Sequence, residues 1–173
     1  MRRRAIQLSR YTDMIKTDIH IAGGSKVDTY STYGLIYISA DNRLDAPYKE
    51  MDKTSYPEQA GENVYPLAVK DAFDYKITFL IEGTTLNTIN SRISTFNSAI
   101  ISSGNMFKKV TFYNYDRHVK IVGYPTPIAE AKDFWYTTPR DNSQGVKTQS
   151  AMVELVIRVV NPTECDFNYT PTT

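Results

Sequence analysis

The chain has 173 residues and a formal net charge of +1, with 20 basic side chains against 19 acidic ones, so neither nucleic acid nor an anionic membrane is expected as its main partner. That length fits one domain with a real core. The only cysteine is Cys165, so an internal disulfide and a CxxC metal site are both excluded. No segment approaches the roughly 20 consecutive apolar residues of a membrane helix. The basic start Met1-Arg2-Arg3-Arg4 is followed too soon by Ser9, Arg10 and Asp13 to be a signal peptide.

Taken in chain order, Ala5 to Leu8 and Met14 to Ala22 read as opening strands, and Gly23-Gly24-Ser25 as a turn. Gly34 to Ala40 is apolar on both faces, which suits a central strand. Asp41 to Asn63 reads as a long polar loop holding nine charged residues, with Pro47, Pro57 and Gly61. Val64 to Val69 resumes extended character around Pro66. Asp74 to Glu82 alternates cleanly: Tyr75, Ile77, Phe79 and Ile81 share one face, and Lys76, Thr78 and Glu82 the other. Gly83 breaks that period. Thr84 or Thr85 then caps a helix whose stripe is Leu86, Ile89, Ile93, Phe96 and Ile100, with Gly104 as its stop.

Lys109 to Tyr115 and His118 to Tyr124 form a hairpin around Asp116-Arg117. Pro125 and Pro127 bar a central strand after it. Asp133-Phe134-Trp135-Tyr136 reads as an aromatic knot over one end of the core, and Thr137 to Lys147 as a second loop. Gln149 to Val160 is a strand longer than the usual five or six residues, with Ala151, Val153, Leu155, Ile157 and Val159 on one side. Asn161-Pro162 ends it, and residues 163–173 read as a frayed tail. The expected fold class is mainly β with one principal α-helix, an antiparallel sandwich or barrel in a single domain over 1–173 with its core at about 5–162. Ile77, Phe79, Ile89, Ile93, Phe96, Phe112, Val153, Leu155 and Ile157 belong to its core.

Chemistry is sparse. His20 and His118 each alternate with apolar residues inside a strand, without a partner at metal-ligand spacing. Cys165 has no histidine near it in sequence. Glu58 and Glu62 read as solvated charges on a loop that would not hold the separation glycoside hydrolysis needs. None of the phosphate, dinucleotide, zinc-protease or serine-hydrolase motifs occurs. No catalytic residue, metal ligand or cofactor is expected. The 13 tyrosines admit two readings, a stacking platform for sugars or bases, or the lining of a sheet face or subunit interface.

The order of elements resembles the N-terminal, tail-tube-like domain of bacteriophage distal tail proteins. The residues that carry the resemblance are Tyr56-Pro57-Glu58-Gln59-Ala60-Gly61-Glu62, the strand Lys76-Ile77-Thr78-Phe79, the helix Leu86 to Ile101, the pair Val110-Thr111-Phe112-Tyr113 and Val119 to Tyr124, and the closing strand Met152 to Val160 before Asn161-Pro162. It spans roughly Tyr33 to Pro162. The resemblance implies a hexameric ring that connects the tail tube to the baseplate, with tail tube, hub and tape-measure proteins as partners. It also implies assembly in the bacterial cytoplasm, residence in the virion tail and a prophage as natural source. Unlike the larger members of that family, this chain is not expected to carry a second, carbohydrate-module-like domain after Pro162, which puts a host-adhesion role outside the expectation. With the resemblance, Tyr48, Tyr56, Pro57, Glu58 and Glu62 become the expected subunit interface. The alternatives are a non-catalytic glycan-binding sandwich, using tyrosines and Trp135, and a small enzyme.

Overall fold

Twelve residues of one strand organise this molecule. The computed structural model describes residues 15–49, 52–55, 62–65, 69–137 and 148–171. In chain order it has β1 (Thr17–Ile21), β2 (Lys26–Asp28), α1 (Thr29–Tyr33), β3 (Leu35–Ala40), β4 (Asp52–Ser55), β5 (Glu62–Tyr65), β6 (Phe73–Gly83), α2 (Leu86–Ile100), β7 (Val110–Asn114), β8 (Val119–Thr126), β9 (Ala131–Thr137) and β10 (Thr148–Val159). The fold is mainly antiparallel β with one principal helix. Eight strands make one sheet in the order β2-β1-β7-β8-β10-β6-β3, with β9 also on β10.

The length of β10 is used twice. One edge pairs with β6 without a break, from Gln149 opposite Gly83 to Val159 opposite Phe73. The other edge takes β9 first and then β8. Ala151, Val153, Leu155, Ile157 and Val159 are all buried, as their alternation predicts. β8 changes partners in the same way: Val119 to Gly123 pair with β7, and Tyr124 to Thr126 with β10. The sheet thereby folds over on itself, with β2 and β3 as the ends of its strand order. Phe79 of β6 meets Phe112 of β7 edge to face, with ring centroids 6.2 Å apart, although three steps of sheet order separate them.

Gly123 sits at the change of partner. A Cβ there would stand 2.4 Å from the Arg158 carbonyl oxygen and 2.7 Å from Ile157 Cγ2. Pro125 does lie in a strand, opposite Ile157 of β10, against the sequence expectation. Its missing N–H is tolerated because β8 has already left β7, so one ladder rather than two must survive.

Helix α2 begins as its sequence predicts, with Thr85 Oγ1 accepting from the Thr88 N–H at 3.3 Å. Ile89, Phe96 and Ile100 are fully buried and Ile93 partly, whereas Leu86 is exposed. The stop is not Gly104. Ile101 turns extended and pairs with Phe107, and Asn105, at φ 56°, takes the left-handed position of the turn. The short α1 was not anticipated. Asp28 caps it and Gly34, at φ 70°, closes it, and Tyr33 stacks edge to face on Phe96 at 5.2 Å.

Three further expectations change. Among the described residues β3 pairs with β6 alone, so it is an edge strand, and α1 packs against it. Two-sided apolar character reports covered faces, not strand neighbours. The polar stretch 41–63 contains strand structure: β4 pairs with β5, Asp52 opposite Tyr65 and Ser55 opposite Glu62. Below them Lys49 N–H donates to Val69 and Asp71 N–H to Pro47, at 2.8 and 2.7 Å, which extends the ribbon towards its base. The tail is laced down rather than frayed as far as it is described. Pro162–Glu164 form a 3-10 turn. Asp166 and Lys120 then exchange both backbone hydrogen bonds, and Tyr169 N–H donates to the His118 carbonyl at 2.7 Å. Those bonds satisfy the part of the β8 edge that β10 does not reach. Ala5 to Leu8, Pro66 and 138–147 lie outside the described residues; Asp133 to Tyr136 have their backbone in β9, and whether their side chains cover the core lies outside what is described.

Candidate assembly surfaces

The two histidines and the cysteine are occupied by local structure. His20 Nε2 lies 3.1 Å from the Gly24 carbonyl. His118 is in the turn before β8, at φ 53°, not inside a strand, and its Nδ1 lies 3.1 Å from the Tyr169 carbonyl. Val122 N–H donates to Cys165 Sγ at 3.3 Å, and burial pushes that thiol above its ordinary pKa, the opposite of what a nucleophile needs. No cluster of three metal-binding side chains occurs among the described residues. None of their helices is long and apolar enough to cross a membrane.

Of the five residues expected at an interface, Tyr56, Pro57 and Glu58 lie outside the described residues, and Glu62 is placed in β5 opposite Ser55. Tyr48 stands at the base of the ribbon, in a bridge with Lys70, and is 56% exposed. Its hydroxyl donates to Asp45 Oδ2 at 3.4 Å, while Lys70 Nζ pairs with Asp45 Oδ1 and lies 5.9 Å from the Tyr48 ring centroid. The Lys70 ammonium, then the Ala46 N–H, hold the Asp45 carboxyl below its ordinary value. Leu44, 92% exposed, and Val69 leave further apolar surface at this base.

A second surface was half legible. Tyr113 of β7 and Tyr115, in the turn that follows it, lie two residues apart, and their rings are near parallel at 6.3 Å. Tyr169, read from the sequence as tail, joins them at 5.4 and 6.3 Å. Lys26 Nζ sits 5.2 Å from the Tyr113 ring centroid and donates to the Tyr115 hydroxyl at 3.1 Å. That hydroxyl donates in turn to Asp18 Oδ2 at 2.6 Å. Burial first, then the Asp18 carboxylate, raise the Tyr115 pKa well above the phenol range, so the phenol stays protonated and keeps donating. Lys26 and Asp18 come from strands β2 and β1, and no sequence spacing links them to β7.

No protein-family model matches this sequence, and no curated protein matches it. A similar solved structure is the Dit protein of phage SPP1, presented as a paradigm of the hub adsorption apparatus in phages that infect Gram-positive bacteria. The TM-score is 0.45 at 12% identity, over 82% of this chain and 49% of that one, so this chain spans about half the length of that protein.

Proposed function

We propose that this chain is a structural protein of a phage tail, a single folded unit that assembles with its own copies into a ring, six in number, between tail tube and distal tip. The observation that supports it is the order of elements: alternating strand β6, long helix α2, hairpin β7–β8, and the over-length β10 that ends shortly before Asn161-Pro162, folded as one antiparallel sheet. This is the order on which the distal-tail resemblance rests. The role is architectural and non-catalytic, and the expected neighbours are tail-tube, hub and tape-measure proteins. The β4–β5 ribbon fits such a role, because a two-stranded ribbon is marginal on its own and gains stability when laid on a neighbour. The test compares the intact chain with one lacking Pro47 to Gly61 by light scattering, circular dichroism and electron microscopy. The intact chain is expected to form rings at high concentration, and the shortened one to fold but stay monomeric. A shortened chain that forms the same ring removes the ribbon from the interface. An intact chain that remains a monomer sinks the tail-ring reading.

The Tyr113–Tyr115–Tyr169 cluster supports a second reading, a glycan-binding sandwich. Near-parallel, half-buried rings beside a lysine are groups that stack on a sugar ring and hydrogen-bond its hydroxyls. Saturable quenching of aromatic fluorescence by an oligosaccharide, lost in Tyr113→Ala, would bring this reading forward.

A further inference from the structure

Residues 83–107 carry one charged side chain, Arg92, where the chain's own 23% would place about six. Arg92 is turned inward, donating to the Glu82 carbonyl at 2.5 Å. The exposed side of α2 is left to Asn87, Asn90, Ser91, Ser94, Thr95 and Ser98. A solvated helix face is ordinarily built from Glu, Lys and Arg, and Ser, Thr and Asn weaken a helix. Such residues do suit a contact: they are short and neutral, and lose little rotamer freedom when covered.

Beside this face runs a groove of about 540 Å³, with Leu86, Ile93, Ile101, Ala129 and Ala131 as its apolar lining. The same neutral stretch also supplies a knob. The turn after α2 presents Met106, 72% exposed, and Phe107, 46% exposed. It is held by Ser102 N–H to Met106 O at 2.9 Å, Asn105 N–H to Ser102 O at 3.0 Å and the Ile101–Phe107 bridge. Both side chains remain exposed, so the groove of the same molecule does not take them. Charge complements the shapes. Lys108 follows the knob and makes no ion pair among the described residues, while Glu130 stands on the groove, paired with Lys132 at 3.2 Å through two exposed side chains.

We propose that a second copy of this chain occupies the α2 groove, seating its Met106-Phe107 turn there with its Lys108 against Glu130. The contact rests on the assembly reading above and names its partner surface. Ile101 lines the groove and bridges Phe107 of the knob, so the two adjoin; the contact repeats from copy to copy and closes into a ring when the rotation carries it onward, whereas a twofold pairing would stop at a dimer.

The test measures mass by light scattering across concentration for the intact chain, Met106→Asp, Ser94→Glu, Lys108→Glu, Glu130→Lys and the last two combined. Each substituted side chain is solvent-facing or partly so, and thermal midpoints and circular dichroism verify that the fold is kept. Met106→Asp and Ser94→Glu are expected to raise the concentration needed for assembly at least about tenfold. Lys108→Glu and Glu130→Lys are each expected to raise it about fivefold, and their combination to restore it. If the intact chain assembles while Met106→Asp or Ser94→Glu assembles equally well, the groove contact is wrong and the assembly reading stands. A combined charge swap that fails to restore assembly also overturns the Lys108–Glu130 pairing. An intact chain monomeric even at millimolar concentration removes the assembly reading and this contact together.

Discussion

The strand pair β6–β10 and the ribbon β4–β5 are both antiparallel pairs, held by the same kind of backbone ladder. They differ in what lies around the ladder. β10 has neighbours on both edges and an inward face of Ala151, Val153, Leu155, Ile157 and Val159 with no exposure above 2%. The ribbon forms a two-stranded sheet of its own, and both its edges are free of the main sheet. A ladder alone adds little net stability, because each bond replaces one to water. Buried apolar surface decides which pair holds the molecule together. The comparison therefore divides the protein into a part that stabilises and a part available to a partner.

The largest effect is expected where α2 closes the core over β6 and β10. Phe96 is fully buried and packs perpendicular to the Tyr33 ring. Phe96→Ala should lower unfolding free energy by roughly 3–5 kcal/mol in denaturant titration. A loss below about 1 kcal/mol would mean that the site collapses without cost, and would break the division at its strong end.

The reading of the sequence succeeded on the same side of that division. β6, α2 and β10 are long, and one face of each is buried, so their periods of two and of three to four were visible in Tyr75 to Ile81, Ile89 to Ile100 and Ala151 to Val159. Burial writes the pattern. The ribbon strands DKTS and ENVY have no alternating apolar set, so a period-two reading had nothing to find. Five-residue α1 is too short to show a helical stripe. The tail was misread because its anchors, the backbone groups of Asp166 and Tyr169 and the rings of Phe167 and Tyr169, follow no period that a pattern reading could find. The candidate surfaces were less legible still. Tyr113 and Tyr115 could be paired from spacing, but Lys26, Asp18 and Tyr169 reach them only through the fold.

The change of partner in β8 gives the second prediction. Gly123→Ala places a methyl against the Arg158 carbonyl, a backbone group that cannot rotate away. The cost should be about 3 kcal/mol, at the upper end for overpacking, with φ strain playing no part. An unaltered denaturation midpoint would show that β8 and β10 can part there without consequence.

Alkali offers a test by condition rather than by substitution. Burial raises the Tyr75 pKa from 10.0 to about 12. The folded state thus holds the phenolic proton more tightly than the unfolded one. The contribution is fully present below pH 10 and is lost as pH rises through 12. Stability should therefore fall across that window, with phenolate absorbance appearing together with loss of circular dichroism. Tyr75→Phe should move the alkaline midpoint upward. Ionisation of Tyr75 well before unfolding would show that water reaches the β6 core face.

The smallest effect belongs to the ribbon and probes the other side of the comparison. Tyr48 is more than half exposed, and its hydroxyl makes one long bond, 3.4 Å, to a carboxylate that Lys70 already serves. Removing the ring deletes a cation–π contact at 5.9 Å in an exposed setting, where such contacts are weak. Asp45 keeps Lys70 and the Ala46 N–H, so no buried group is left unpaired. Tyr48→Ala should then change global stability by less than about 0.5 kcal/mol, and hydrogen exchange in β10 should not alter. A loss above about 1.5 kcal/mol would mean that the ribbon base is part of the cooperative core, and that the two antiparallel pairs are not separable. If stability is unchanged while self-association weakens, Tyr48 is a residue kept for contact, because its exposure leaves little for it to do in the isolated chain.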